Sequence, residues 1–503
     1  MKILNTQQIR NADQYTIENE PIASIDLMER ASKAFFDAIK PRLKKQDTIR
    51  VFCGMGNNGG DGLAVSRMLL LSGYQVHTYK IVHSENASPD FQTNEKRLLK
   101  LKRARYHEVH TQEDFPEIKP ADIVIDAIFG SGLSRPLEGF PAEAVKHLNA
   151  SESIRIAVDL PSGLFAEDNT GNISENIFKA HFTYTFQLPK LSFMFPENAV
   201  YLGQWQVLSI GLSEEFIAQE ETPWHFMLDV DLKPHYRYRN KFDHKGTFGH
   251  GLLIAGSYGK SGAALLSARA ALQMGPGLVT THVPGANYTI QQLGLSEGMV
   301  SVDEDNHHFT GIKDIGPYST IGIGPGLGKE PQTQNALKLL IQNTTRPMVL
   351  DADALNILAE NPTWLSFLPA GSILTPHVGE LERLSGKSNS GWERLENARE
   401  MAFRFKCYVV LKGAHTAVVC PDKQVIFNST GNPGMAKGGS GDVLTGMILG
   451  LLTQGYSPLF SCMAGVFLHG FAADLAVKKK PMESLMASDI ISFIPRALGK
   501  VFY

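Results

Sequence analysis

Gly431-Asn-Pro-Gly-Met-Ala-Lys-Gly-Gly-Ser-Gly-Asp-Val-Leu-Thr-Gly446 begins as a Gly/Pro loop and runs into an apolar helix, expected over 443–452. Gly438, Gly439 and Gly441 lack a Cβ, so the backbone there can take positive φ and come close to a ligand. The N–H groups at the helix start, Ser440 among them, would face an anion, helped by the helix dipole. Asp442 conflicts with that picture, because a carboxylate repels an anion unless it takes up a proton or holds a metal. Local rules are broken where chemistry is done. Read alone, the stretch also fits a Gly-rich turn in which Asp442 caps the helix.

The surrounding chain narrows the choice. At 503 residues it is too long for one core, and two to four domains are expected. With 43% hydrophobic and 20% charged residues it has the profile of a soluble globular protein. A net charge of −3 gives no nucleic-acid footprint, and the lysines at 478–480 read as a solvated helix end. Cys53, Cys407, Cys420 and Cys462 form no Cys-x-x-Cys pair, and free thiols fit a reducing cytoplasm. The N-terminus has no apolar signal core, and no uninterrupted apolar run is expected to span a bilayer. The expected location is cytoplasmic, with small-molecule substrates, no nucleic acid and no membrane as partners, and a homo-oligomer as the assembly.

In the N-terminal half, helical spacing of Ile9, Ala12, Tyr15 and Ile17, then of Ile25, Met28, Ala31, Phe35 and Ala38, predicts two helices separated by Pro21. Strands and helices then alternate. A strand over 48–53 enters Gly54-Met-Gly-Asn-Asn-Gly-Gly-Asp-Gly62, read as a loop, with a helix over 63–71. That layout suits a nucleotide-binding turn, but the spacing is neither the Rossmann Gly-x-Gly-x-x-Gly nor a P-loop. A strand ending at Asp126 leads to Phe129-Gly-Ser-Gly-Leu-Ser-Arg-Pro136, and one over 154–158 leads to Asp159-Leu-Pro-Ser-Gly-Leu164. In an open parallel sheet, strand carboxyl ends line the ligand crevice, so Asn58, Asp61, Asp126, Asp159 and Ser162 are candidates for one site. Their hard oxygen ligands suit an alkali or alkaline-earth cation better than zinc.

These three blocks resemble the epimerase domain that acts on hydrated NADH and NADPH, over about residues 1–215. The resemblance implies a Rossmann-like α/β domain. It implies substrate contacts at Asn57, Asn58, Gly59, Gly60 and Asp61, at Gly130, Ser131, Gly132, Leu133, Ser134, Arg135 and Pro136, and at Asp159. It further implies a potassium ion at Asn58, Asp126 and Ser162. Epimerising a hydroxylated carbon beside a ring nitrogen needs an acid/base, and Asp159, kept ionised by a nearby cation, is the candidate.

Composition shifts near 215–235, where glutamates cluster and Pro223 and Pro234 interrupt the chain; a second domain is expected from 230 to 503. Its strands enter Gly256-Ser-Tyr-Gly-Lys-Ser-Gly-Ala263, Gly324-Pro-Gly-Leu-Gly328, Asp351-Ala-Asp-Ala-Leu-Asn356, Thr375-Pro-His-Val-Gly-Glu380, Lys412-Gly-Ala-His-Thr416 and the opening stretch. Helices over 459–477 and 488–498 close this second α/β sheet. In order, these blocks resemble a ribokinase-like fold and, within it, the nucleotide-dependent dehydratase of hydrated NAD(P)H. The resemblance implies hydrated NAD(P)H at Ala263, Gly326, His377 and Asp442. It implies an adenine nucleotide at Lys412, Gly413, Ala414, His415, Thr416 and Gly441, within the Gly438–Gly441 anion cradle. Lys437 stands where relatives carry a small or hydroxyl residue.

The implied chemistry turns a poor hydroxyl leaving group into a phosphate, with Asp442 as general base, the N–H groups of 438–441 on the phosphoryl group, and Mg²⁺ with ADP or ATP. The expected function is thus a bifunctional repair enzyme. Two other readings stand beside it: a ribokinase-type small-molecule kinase with an accessory α/β domain, and an N-terminal sensing or scaffold module without catalysis.

Overall fold

The computed structural model describes residues 1–503 and divides them into two compact units, Met1–Thr222 and Pro223–Tyr503. The first is built on seven strands: β1 (Thr48–Cys53), β2 (Gln75–Ile81), β3 (Arg105–Val109), β4 (Ile123–Ala127), β5 (Ile154–Val158), β6 (Phe182–Phe186) and β7 (Gln204–Leu208). They form one parallel sheet in the order β3-β2-β1-β4-β5-β6-β7. β4 is buried at every residue, as a central strand covered on both faces must be. The chain runs outward from β1 to β3 and then returns to β4. The order therefore reverses between β1 and β4, which opens a crevice at their carboxyl ends.

The stretch after β1 differs from its sequence expectation. The helix starts at Asn57 and runs Asn57–Leu71, so most of the expected 54–62 loop is helical. Glycine is a poor helix former, but here its missing side chain decides the packing. A Cβ on Gly59 would lie 1.9 Å from the Gly54 carbonyl oxygen, and one on Gly62 would lie 2.7 Å from both Ala127 Cβ and Cys53 Sγ. β3 and β7 lie at the sheet edges, where only the last residue of each, Val109 and Leu208, is buried, so neither shows the continuous apolar run of a central strand.

The second unit carries ten strands: β8 (Trp224–Phe226), β9 (His250–Ile254), β10 (Leu278–Val283), β11 (Met299–Val302), β12 (Thr320–Ile323), β13 (Met348–Leu350), β14 (Ile373–Leu374), β15 (Tyr408–Leu411), β16 (Ala417–Val419) and β17 (Val425–Phe427). Their order is β11-β10-β9-β12-β13-β14-β15-β16-β17-β8. The run from β11 to β15 is parallel, β16 is antiparallel to both its neighbours, and β8 returns parallel to β17.

β8 corrects the expected domain limits of 215 and 230. Trp224, His225 and Phe226 pair with Val425, Ile426 and Phe427, which puts 223–229 in the second unit. Residues 216–222 belong to the first, where Lys2 Nζ donates to the carbonyls of Ala218 and Glu220 at 2.6 Å, and Thr222 Oγ1 to that of Ile3 at 2.8 Å.

Helix Ser440–Thr453 is buried continuously from Val443 to Thr453 and packs on helix Ser261–Gln273. The contact is backbone to backbone: a Cβ on Gly446 would fall 2.0 Å from the Ser267 carbonyl oxygen. Helix Pro458–Val477 has 20 residues and is long and apolar enough to cross a membrane by length and composition, although Ser461, His469 and Asp474 interrupt its apolar run. Its most apolar window is 78% buried inside the unit, so its apolarity is that of a core helix.

Gly446→Ala is expected to lower stability by about 1–3 kcal/mol through overpacking, against the roughly 1 kcal/mol that alanine gains over glycine in a helix. A thermal midpoint equal to or above that of the parent chain would remove the close-packing argument.

Candidate active sites

In the first unit, the loops after β1, β4 and β5 meet in one pocket at the crevice. Asn57, Asn58, Asp61, Gly130, Ser131, Gly132, Leu133 and Asp159 all line it. Gly59 and Gly60 do not: they face inward, Gly60 against Met28. Ser134 lies in an adjoining depression with Asn5, Arg10 and Asp168, while Arg135 and Pro136 line neither.

Asp159 sits at the end of β5 with φ +63, a left-handed conformation that aspartate and asparagine tolerate better than other side chains. Its Oδ1 accepts from Thr185 Oγ1 and the Phe186 N–H at 3.0 Å each, and pairs with Lys190 Nζ at 3.0 Å. The Lys190 side chain is only 1% exposed, and its ammonium also donates to the carbonyls of Phe186 and Leu188 at 3.2 Å, so its three protons have three acceptors. Burial alone would raise the Asp159 pKa, but Lys190 and these hydrogen bonds outweigh it and hold the carboxyl below its ordinary range. The partner charge that the sequence reading sought in a metal ion is therefore a lysine of the chain itself. Lys190 lies in a segment without glycine punctuation, so no local signal marked it.

Asp126, Asn58 and Ser162 lie deeper. Asp126 is fully buried and accepts from Ser162 Oγ (2.6 Å), the Ser162 N–H (2.8 Å) and the Ile128 N–H (3.2 Å). Burial pushes its pKa up to about 6 against those hydrogen bonds. Asn58 Nδ2 donates to the Val158 carbonyl at 3.2 Å, while its Oδ1 is buried with no partner in the chain. An orphaned amide oxygen beside a buried carboxylate and a hydroxyl is a donor set that an oxygen-seeking cation would complete.

In the second unit, helix Ser440–Thr453 starts three residues before the expected 443, so Asp442 stands in its first turn. Gly439 caps it at φ +91 with no side-chain hydrogen bond; the Ser440 N–H donates to the Lys437 carbonyl at 3.4 Å, while those of Gly438, Gly439 and Gly441 have no backbone acceptor. Lys412, at the end of β15, pairs with Asp351 Oδ1 at 2.9 Å, and Asp351 Oδ2 accepts from Thr445 Oγ1 at 2.6 Å. Glu380 Oε2 is 3.7 Å from the same ammonium. The Asp442 carboxylate makes no hydrogen bond or ion pair within the chain. Burial and then the Asp351 charge raise its pKa to about 6, with Lys412 pulling it down.

The other expected residues gather around this cluster. A Cβ on Gly441 would lie 3.4 Å from Lys412 Nζ, and one on Gly326 (φ +61) 3.1 Å from Ala263 Cβ. His377 caps helix Val378–Ser385: its Nδ1 accepts from the Gly379 N–H at 3.0 Å, its N–H donates to Glu380 Oε2 at 2.8 Å, and its backbone bridges Lys412. His415 Nδ1 lies 3.1 Å from the Asn428 carbonyl oxygen, and Thr416 Oγ1 donates to the Gly413 carbonyl, folding 412–416 into a tight turn that exposes Gly413 and Ala414. Lys437 donates to the Glu483 carbonyl. Asp351, Glu380 and Thr445 complete the cluster, and no role for them follows from the sequence alone.

Two α/β units, one a Rossmann-like sheet and one ribokinase-like, each gather polar side chains at strand carboxyl ends, the architecture of a two-domain enzyme. A family model described as NAD(P)H-hydrate dehydratase matches residues 251–496, and one described as YjeF-related protein N-terminus matches 24–192. A bifunctional NAD(P)H-hydrate repair enzyme of Moorella thermoacetica is 36% identical over 99% of this chain and 97% of its own length. That of Escherichia coli is 32% identical over 98% and 93%. A crystal structure of the ADP/ATP-dependent NAD(P)H-hydrate dehydratase of Bacillus subtilis, co-crystallized with ATP/Mg²⁺, aligns with 55% of this chain and 98% of that one, at 30% identity and a TM-score of 0.49. The chain belongs to the bifunctional NAD(P)H-hydrate repair enzymes, with an epimerase-type first domain and a nucleotide-dependent dehydratase as the second. Because the relatives match both halves together, the kinase-plus-accessory-domain reading is not favoured.

Lys190→Met leaves Asp159 buried and unpaired and is expected to cost about 3–5 kcal/mol at neutral pH. Asp159 is depressed in the folded state, so the stabilisation that it gains from Lys190 is present above the unfolded carboxylate pKa and is lost as pH falls through the lower, folded one. The gap between variant and parent in urea midpoints should therefore close on acidification. A gap independent of pH would contradict the pairing.

Proposed function

We propose that the first unit interconverts the R and S forms of hydrated NADH and NADPH, and that the second dehydrates the S form through a phosphorylated intermediate. The observation that carries the second half is the unpaired Asp442 carboxyl at the open start of helix Ser440–Thr453, beside the Lys412–Asp351 pair. In this reading Asp442 removes the proton from the substrate hydroxyl as its oxygen attacks the terminal phosphoryl group of ADP or ATP. The open N–H groups of Gly438, Gly439 and Gly441 hold the phosphoryl oxygens, while that of Ser440 is turned to the Lys437 carbonyl. The C–O bond then breaks with its electron pair leaving on phosphate, the neighbouring ring carbon gives up a proton to solvent, and its C–H electrons close the C=C bond of the dihydronicotinamide ring. Ala263, Gly326 and His377 bound the hydrated nicotinamide, and the 412–416 turn holds the adenine nucleotide.

Mg²⁺ would neutralise charge on the nucleotide phosphates. Its place there suits the chain, whose carboxylates Asp351 and Asp353 are already engaged, by Lys412 and by Lys260 at 3.2 Å. In the first unit, Asn58, Asp126 and Ser162 would hold K⁺, which would supply fixed positive charge under the substrate. There Asp159 is the acid/base that meets the hydroxylated carbon.

The four buried free thiols fit the cytoplasmic reading. β11, an edge strand with Met299 and Val302 exposed, fits a homo-oligomer.

The assay is recovery of dihydronicotinamide absorbance from a mixed R/S sample of hydrated NADH with ADP or ATP. Asp442→Asn should lower dehydration by about 10²–10⁴-fold and leave epimerisation intact. Asp159→Asn, which keeps the left-handed backbone, should do the reverse. Near-parental dehydration by Asp442→Asn would reject the base assignment.

Since Asp442 must be ionised to act as base, dehydration should be lost as pH falls through about 6. Lys412→Met removes the charge that lowers this pKa, so the acid limb should move to higher pH. A limb that stays in place or moves down contradicts the coupling.

A further inference from the structure

One wall of the epimerase pocket comes from outside the segment that the family model matches, which begins at residue 24. Helix Thr6–Asn19 contributes Ile9, Arg10 and Asp13 to the pocket that holds Asp61, Asp159 and Lys190. The helix is anchored by its buried face, Ala12 and Thr16, and by the Asn5/Gln8 capping box. Asp13 is half-buried, and its carboxyl makes no hydrogen bond or ion pair within the chain. The other two carboxyls are committed: Asp61 Oδ1 accepts from Ser32 Oγ at 2.9 Å, and Asp159 is paired with Lys190.

The charged and titratable groups that line the pocket with Asp13 are Arg10 from its own helix, Asp61 from Asn57–Leu71, His83 after β2, Asp159 after β5 and Lys190 after β6. Burial first, then the Asp159 charge, raise the Asp13 pKa to about 6, with Lys190 opposing. Burial also raises Asp61, but its Oδ1 is tied to Ser32; of the three carboxyls, Asp13, pushed up and unpaired, and Asp159, held down, divide naturally into an acid and a base. Inverting a carbon also requires proton traffic on both of its faces, which a single carboxylate does not provide.

We propose that Asp13 is a second catalytic residue of epimerisation, the general acid that works with Asp159 as base from a different wall of the pocket. The proposal rests on the epimerase reading of this pocket. The Asp13 carboxyl gives its proton to the hydroxyl oxygen on the carbon beside the ring nitrogen. That C–O bond breaks, its electron pair leaves with water, and the nitrogen lone pair closes a C=N bond. Water adds to the other face of the same carbon, the C=N π electrons return to nitrogen, and the proton that the water sheds passes to the Asp159 carboxylate. One proton enters at Asp13 and one leaves at Asp159; exchange with solvent resets the pair, and the reverse reaction swaps their roles. No oxidant or reductant is involved.

The test measures R-to-S interconversion of hydrated NADH against pH for the parent chain, Asp13→Asn and Asp13→Glu, with dehydration of purified S isomer as an internal control of folding. For the parent, kcat/KM should fall as pH rises through about 6, where Asp13 loses its proton. Asp13→Asn should lose about 10²–10⁴-fold and also lose that limb, while Asp13→Glu restores both in part and S-isomer dehydration is unchanged in either variant. A packing role would lower the rate and leave the limb in place, which overturns the proposal, as does Asp13→Asn working within about threefold of the parent. If the parent itself does not interconvert the isomers, the epimerase reading fails and the Asp13 assignment falls with it; if the parent does and Asp13→Asn does equally, the Asp13 assignment alone is wrong.

Discussion

In each site a lysine ammonium is paired with one carboxylate while a further carboxyl stands beside the pair, and the electrostatics of both sites follow from that arrangement. Lys190 pairs with Asp159, and Lys412 pairs with Asp351. In a medium of low dielectric a second carboxylate near the same pair is poorly compensated, so its proton is held more tightly. That is the position of Asp13 in the first unit and of Asp442 in the second, each with a pKa near 6. Two unrelated sheets thus reach the same arrangement, a fixed ion pair and beside it a carboxyl whose proton moves near neutrality. Such a group can serve as acid or base at physiological pH, which an exposed aspartate does poorly.

The backbone makes this possible by bringing elements closer than side chains would allow. Gly59 and Gly62 seat helix Asn57–Leu71 against the ends of β1 and β4, which fixes Asn58 and Asp61 at the crevice. Gly446 seats helix Ser440–Thr453 on helix Ser261–Gln273, and Ser267 Oγ then donates to the Asp442 carbonyl at 2.8 Å. Asp442 is therefore held by its main chain while its carboxylate stays uncommitted. A hydrogen bond to the side chain would have fixed it at the expense of its basicity.

Much of this was legible in the sequence, because the signals are local. Glycine clusters after apolar runs marked the loops, and the aspartates at the strand ends marked the crevice. The register of those loops was less legible: glycine was read as punctuation at 54–62, whereas there it lies inside a helix and serves its packing. Lys190 and Asp13 were beyond sequence reasoning. Each sits in an ordinary segment and gains its meaning from residues far along the chain, Lys190 from Asp159 and Asp13 from both. His377 shows the opposite limit. Its motif pointed to a ligand, whereas the ring caps helix Val378–Ser385 and leaves its outer edge exposed, so local structure alone accounts for the contacts that it makes.

β8 lies at the outer edge of the ribokinase-like sheet, yet it begins two residues after the first unit ends. A dehydratase fragment cut at 230 would lose this strand, leaving the hydrogen-bonding edge of β17 bare and removing Phe226 and Met227, both buried. Bare edges recruit other chains. A break placed before Pro223 instead keeps β8, and the hydrogen bond from the Val425 N–H to the Pro223 carbonyl, with the sheet that they complete.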